Sequence, residues 1–249
     1  MPKSEGRPAI VFIPGFMQSG GAWTPVADLL PERYPRLLLG HAADSYEGRI
    51  AEIAEAGEGA VLAGYSMGGR LALHAALRHP GLFAGLVTIG TAAGIEAPGA
   101  RAERSQADEK LASWMETQPI DAIVSIWERQ PLFADQSDAL VASQRTDRLT
   151  QDPRELAMLL RTAGQGALEP VWQRLHTLDV PLLAIAGDRD EAYCQAAARM
   201  ARAVPRGRAA SVEAAGHAAH LQQPEAVADL LGEFLDEHLG QGAIGHVDA

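Results

Sequence analysis

The chain has 249 residues, a net charge of −11, 47% hydrophobic and 21% charged residues. That composition fits one large globular domain and excludes disordered and fibrous classes, while the negative charge argues against nucleic acid and anionic membrane surfaces as partners. The single cysteine, Cys194, cannot form an internal disulfide. With no apolar run long enough for a bilayer or a secretory signal, the cytoplasm is the expected location.

Taken in chain order, Ala9-Ile10-Val11-Phe12-Ile13 is a continuous apolar run ended by Pro14-Gly15, as expected of a strand buried on both faces. Leu37-Leu38-Leu39 is the next strand-like run. Val61-Leu62-Ala63 follows and leads into Gly64-Tyr65-Ser66-Met67-Gly68, after which Arg70-Leu71-Ala72-Leu73 is helix-prone. Leu86-Val87-Thr88-Ile89 is a fourth strand, Leu182 to Ala186 a fifth, and Ala209 to Val212 a weaker sixth. Intervening helical stretches predict a doubly wound, mainly parallel α/β sheet with right-handed crossovers. Between Ile89 and Leu182 the period becomes helical. Leu111, Trp114 and Met115 share one face, as do Ile120, Ile123, Val124 and Trp127, and then Leu156, Leu159, Leu160 and Ala163 after the cap signal Asp152-Pro153-x-Glu155. These stripes are packing faces. The expected organisation is a core of residues 1–92 and 178–240, a helical lid of 93–177 over the site, and a Gly-rich tail, 241–249, that is disordered.

The segment around Ser66 has the form of a nucleophile elbow: strand, sharp turn with serine at its apex, helix. Flanking glycines relieve crowding, and the helix N-terminus offers free N–H groups to an anion beside the serine. Serine needs an imidazole to take its proton, and the imidazole needs a carboxylate to fix its tautomer. Asp190, in Gly187-Asp188-Arg189-Asp190 at the carboxyl end of a strand, is favoured over Asp188, which is expected to support the turn. His217, after Ala214-Ala215-Gly216, is the histidine candidate. His220 lacks further metal-ligand partners and is read as structural, and His41, His74 and the others as surface or packing residues. Ser66, Asp190, His217 is the chain order of α/β-hydrolases. An oxyanion hole is expected from the backbone N–H of Met67 and of Phe16 in the loop after the first strand, where Pro14 cannot donate. No metal and no cofactor are expected.

On the elbow, Gly15-Phe16, Gly187-x-x-Asp190 and Gly216-His217, the whole chain resembles the α/β-hydrolase superfamily. Within it, Gly64 to Leu73, Arg101-x-x-Arg104-x-x-x-Asp108, Trp127-x-x-Gln130-Pro131-Leu132-Phe133-Ala134 and Arg148 eight residues before Leu156-Ala157 resemble the 2-succinyl-6-hydroxy-2,4-cyclohexadiene-1-carboxylate synthases of menaquinone biosynthesis. The resemblance implies a cofactor-independent lyase that eliminates pyruvate from a carboxylate-rich cyclohexene intermediate. Ser66 and His217 would act as base, with Asp190 orienting His217. Arg70, Arg104 and Arg148 would bind the carboxylates of this small anionic substrate, Arg101 being an alternative to Arg104, and Tyr65, Trp127 and Phe133 would wall the pocket. Local arginine charge outweighs the global field, which is screened beyond about 8 Å. The alternatives are a hydrolase of esters, thioesters or C–C bonds working through an acyl-enzyme, and a non-catalytic receptor. Two positions depart from the family pattern. Pro14 replaces histidine and removes side-chain hydrogen bonding within the oxyanion loop, and Glu128 places a negative charge near an anionic substrate. The sequence carries no signal of oligomeric state.

Overall fold

Side chains that alternate between two apolar layers decide the architecture. A computed structural model describes residues 10–239, and the tail expected to be disordered at 241–249 lies outside them. In chain order the elements are β1 (Ile10–Ile13), α1 (Thr24–Ala27), β2 (Arg36–Leu38), α2 (Tyr46–Ala56), β3 (Val61–Tyr65), α3 (Met67–Arg78) and β4 (Gly85–Ile89). Four helices follow: α4 (Pro98–Met115), α5 (Ile120–Trp127), α6 (Asp138–Arg148) and α7 (Pro153–Ala163). Then come β5 (Leu182–Gly187), α8 (Glu191–Ala203), β6 (Gly207–Val212), α9 (Ala219–Gln222) and α10 (Pro224–Leu239).

The strands form one sheet in the order β2-β1-β3-β4-β5-β6, and every neighbouring pair is parallel. Within β1, Val11 and Ile13 enter the layer that holds α2, α3 and α8, whereas Ile10 and Phe12 enter the layer that holds α1 and α10. Leu182 and Ala184 of β5 divide from Leu183 and Ile185 in the same way. Burial on both faces explains why these strands read as unbroken apolar runs. β2 and β6 lie at the sheet edges and are partly exposed, which is why their signals are weaker.

Register then positions the site. Ile13 pairs with Gly64, so the loop after β1 meets the turn after β3 at their carboxyl ends. Chain order reverses between β1 and β3, and ligands of open parallel sheets gather at such a switch point. Beside it, α4, α5 and α7 contribute Leu111, Trp127 and Leu160 to the cavity that holds Ser66. Leu156, Leu159 and Leu160 of α7 are buried in one apolar cluster with Ala112 and Met115 of α4 and Ile123 and Val124 of α5. Asp152 caps α7, its Oδ1 accepting from the N–H of Arg154 at 2.7 Å and of Glu155 at 3.2 Å.

Candidate active site

Ser66 stands between β3 and α3 with φ +49° and ψ −106°. A non-glycine residue there stores on the order of 1–3 kcal/mol of strain, and its surroundings must hold it. The Ser66 N–H donates to Ile89 O at 2.8 Å, and the Thr91 hydroxyl is 3.1 Å from Ile89 O and 3.3 Å from Ser66 O. A Cβ on Gly68 would sit 2.3 Å from Ile13 O and 2.4 Å from Pro14 O. Glycine at 68 therefore lets the loop after β1 rest directly on the first turn of α3.

His217 reaches this turn from the loop after β6. Its Nε2 is 3.1 Å from Ser66 Oγ, and its Nδ1 is 2.8 Å from Asp190 Oδ2. The carboxylate can only accept, so Nδ1 carries a proton and Nε2 is left to accept from serine. Of the two aspartates weighed from the sequence, Asp190 makes this contact, while Asp188 Oδ1 accepts from the Ala215 N–H at 3.3 Å and supports the loop that carries His217. The Tyr193 ring lies 4.5 Å from the imidazole, and its hydroxyl accepts from Gln165 Nε2 at 3.1 Å. Sequence reasoning missed Tyr193. Its signal was its place in the first turn of α8, three residues beyond Asp190.

The Phe16 and Met67 N–H groups have no hydrogen-bond acceptor among the described residues. The loop departs from expectation in one respect. Side-chain hydrogen bonding within it survives Pro14, because Gln18 Oε1 accepts from the Gly15 N–H at 3.1 Å. His41, expected to be a surface or packing residue, is half-buried, and its Nε2 donates to Pro14 O at 3.0 Å. The signal for His41 was its position just beyond the carboxyl end of β2, where ligand-facing loops of parallel sheets converge.

A cavity of about 280 Å³ opens above Ser66 and His217. Phe16, Tyr65 and Met67 line it, joined by Trp127 at the end of α5 and by Phe133 in the segment that follows. Trp127 meets Phe16 edge-on at 5.1 Å and Phe133 at 5.5 Å, which makes a continuous aromatic wall. Burial pushes the Tyr65 phenol up, so it stays protonated.

The cations sort differently from their sequence positions. Arg70 lines the cavity, is 5% exposed, and makes no side-chain hydrogen bond or ion pair among the described residues. Burial, with Arg104 adding like charge, pushes its guanidinium down to about 10, so it stays charged at neutral pH. Arg104 also lines the cavity and is paired with Asp108 at 2.7 Å. Arg101 is instead paired with Glu169 at 2.7 Å and does not reach the cavity. Arg148 is not brought to it either. Its Nη1 lies 3.4 Å from Glu128 Oε1, its Nη2 donates to Gln144 at 2.7 Å, and it lines a separate cavity beside Met17 and Gln18. Glu128 also accepts from Arg145, so its charge is spent on two arginines.

Sheet order, elbow and His–Asp contact define a class: the chain belongs to the alpha/beta hydrolase family, whose model matches residues 10–230. Among curated proteins it is similar to the 2-succinyl-6-hydroxy-2,4-cyclohexadiene-1-carboxylate synthase of Salmonella paratyphi C (strain RKS4594), 30% identical with 94% of this chain and 96% of the relative covered. A Bacillus subtilis (strain 168) protein, provisionally named as the same synthase, is 32% identical with 91% and 90% covered. Among solved structures, MenH from S. aureus matches with a TM-score of 0.88 at 25% identity, covering 95% of this chain and 96% of that one. A thermophilic esterase from Thermogutta terrifontis matches with a TM-score of 0.74 at 20% identity, covering 94% and 92%, a likeness of fold alone. No helix of the described residues is long and apolar enough to cross a membrane.

Proposed function

We propose that this chain is a cofactor-independent carbon–oxygen lyase that eliminates pyruvate from a carboxylate-rich cyclohexene intermediate to give 2-succinyl-6-hydroxy-2,4-cyclohexadiene-1-carboxylate, a step of menaquinone biosynthesis. The observation that carries this reading is Arg70, a buried guanidinium without a counter-ion in the wall of the cavity that holds Ser66. An unpaired buried cation is costly unless a ligand supplies the anion, and a substrate carboxylate does so bidentately. The names of the relatives support the same reaction.

The product's conjugated diene dictates the chemistry. A proton leaves the ring carbon that bears the succinyl group, where the adjacent carbonyl makes it acidic. Ser66 Oγ takes that proton as its own passes to His217 Nε2, and Asp190 holds the resulting imidazolium. Negative charge collects on the succinyl carbonyl oxygen, facing the N–H groups of Phe16 and Met67. The electron pair then returns to the ring, the existing double bond shifts, and the C–O bond to the enolpyruvyl group breaks. Enolpyruvate leaves, takes a proton from His217 and tautomerises to pyruvate. Atoms and electrons balance without water, oxidant or reductant. Because the substrate carries several carboxylates and does not cross membranes unaided, we place the reaction in the cytoplasm.

Intact-protein mass spectrometry of the chain quenched during turnover tests this reading. Elimination releases pyruvate while Ser66 keeps its unmodified mass. A chain that carries a substrate-derived acyl mass on Ser66, with no pyruvate formed, would be a hydrolase working through an acyl-enzyme.

A further inference from the structure

The carbonyl of Pro14 and the N–H of Gly15 belong to one peptide unit, and both ends of that unit are gripped by side chains. His41 Nε2 donates to the oxygen at 3.0 Å, and Gln18 Oε1 accepts from the N–H at 3.1 Å. A peptide held at one end can still rotate about the axis of that hydrogen bond; held at both, its plane is fixed. The next unit along carries the Phe16 N–H, and only the two soft dihedrals of Gly15 separate it from the clamped plane. Tyr65 limits those as well. Its ring lies so close to Gly15 that an added Cβ would stand 2.6 Å from Cδ1.

The two clamping residues come from different parts of the fold. Gln18 lies four residues after Pro14 and is buried, and His41 follows β2, the edge strand beside β1. Burial pushes the His41 ring down to about 4, so at neutral pH it has one N–H, and the carbonyl partner places that proton on Nε2. Histidine in place of Pro14, as in the family that the sequence resembles, would restrain the loop from within. Here Gln18, within the loop, and His41, outside it, supply the restraint.

We propose that His41 and Gln18 are positioning residues that lock the Pro14–Gly15 peptide and thereby aim the Phe16 N–H at the oxyanion formed during turnover. This rests on reading Phe16 as an oxyanion donor for the elimination. A donor misplaced by about 1 Å costs on the order of 100-fold in rate, and outright loss of one costs about 100- to 1000-fold.

The test compares His41→Ala, His41→Gln, Gln18→Ala and wild type by steady-state pyruvate release. It adds thermal melting and the affinity of a trifluoromethyl ketone, which adds to Ser66 to form an oxyanion. The expected result is a fall of about 10- to 100-fold in kcat for both alanine variants with KM and melting temperature near wild type. Ketone affinity falls in parallel, and most activity returns in His41→Gln, whose Nε2 amide can donate to the same carbonyl. Unchanged kcat and ketone affinity in both alanine variants would overturn the proposal. So would an equal loss in His41→Gln and His41→Ala with ketone affinity unaffected. Should an alanine variant fail to fold, His41→Gln and the other position decide the matter. Should wild type release no pyruvate, the lyase reading falls, and the ketone affinities still decide whether the clamp exists.

Discussion

Arg70 is tied to Ser66 through the backbone, its N–H donating to Ser66 O at 3.1 Å across the first turn of α3, while its guanidinium stays buried and unpaired in the cavity wall. The helix that fixes the reacting oxygen thus also fixes the free cation, and both lie at its positive end. Arg104 and Arg148 already face carboxylates, Asp108 and Glu128. Of the three arginines expected at the substrate, Arg70 is the one without a carboxylate partner among the described residues.

Arg70→Met is therefore expected to weaken binding of carboxylate-bearing substrate by about 1.5–3 kcal/mol, a rise in KM of roughly 10- to 150-fold. A neutral p-nitrophenyl ester should be processed as by wild type. Arg70→Lys should recover part of the loss, because a point charge lacks the planar fork. Parallel kinetics on the two substrates check this, and equal impairment on both would end the carboxylate-binding role.

Glu128 and Arg148 predict a stability effect. Their side chains are 9% and 3% exposed. Removing the carboxylate leaves a buried guanidinium without its counter-charge, a change that typically costs about 3–5 kcal/mol. Glu128→Gln should lower the urea midpoint accordingly, and adding Arg148→Met to the same chain should restore most of it. An unchanged midpoint in the single variant would show the pair to be unimportant for folding.

A pH effect follows from His220, which is fully buried between Trp23, at 4.7 Å, and Tyr65, at 4.2 Å, with neither ring nitrogen bonded. Burial, followed by the like charge of His217, pushes it from 6.5 down to about 3. Its folded form stays neutral where the unfolded form takes a proton, so stability is full above pH 6.5 and is lost as pH falls toward about 3. The loss approaches about 1.4 kcal/mol per pH unit. His41 and His74, each pushed down to about 4 mainly by burial, act in the same direction. Urea midpoints between about pH 4.5 and 7 should fall with acidity in wild type, and more gently in His220→Phe, which keeps the ring packing. Equal slopes would exclude His220 as a source.

The sequence was readable where the controlling interactions are local. Strands buried on both faces announce themselves as apolar runs, and the elbow is set by contacts among β3, α3 and the loop after β1, each coded by a short motif. Asp190 and His217 were legible because each follows a strand at its carboxyl end. What escaped depends on distant partners. Helical spacing could not choose between Arg101 and Arg104, since Glu169, some seventy residues on in the chain, claims Arg101. Arg148 was placed at the substrate because its pairing with Glu128, on another helix, cannot be read from either segment. Ser19 N–H and Asp147 Oδ2 meet at 2.9 Å across 128 residues, which ties α6 to the loop after β1 without any local signature. His41 and Gln18 act through one peptide group that no motif names.

Pyruvate elimination in this cavity begins with proton abstraction at Ser66. Its most direct test is a continuous assay of pyruvate after the purified full chain is mixed with the enolpyruvyl-bearing cyclohexene intermediate, run beside Ser66→Ala. Wild type should release pyruvate rapidly, and Ser66→Ala should be slower by at least about 1000-fold. Pyruvate at the uncatalysed rate with wild type, or release undiminished in Ser66→Ala, would contradict this mechanism.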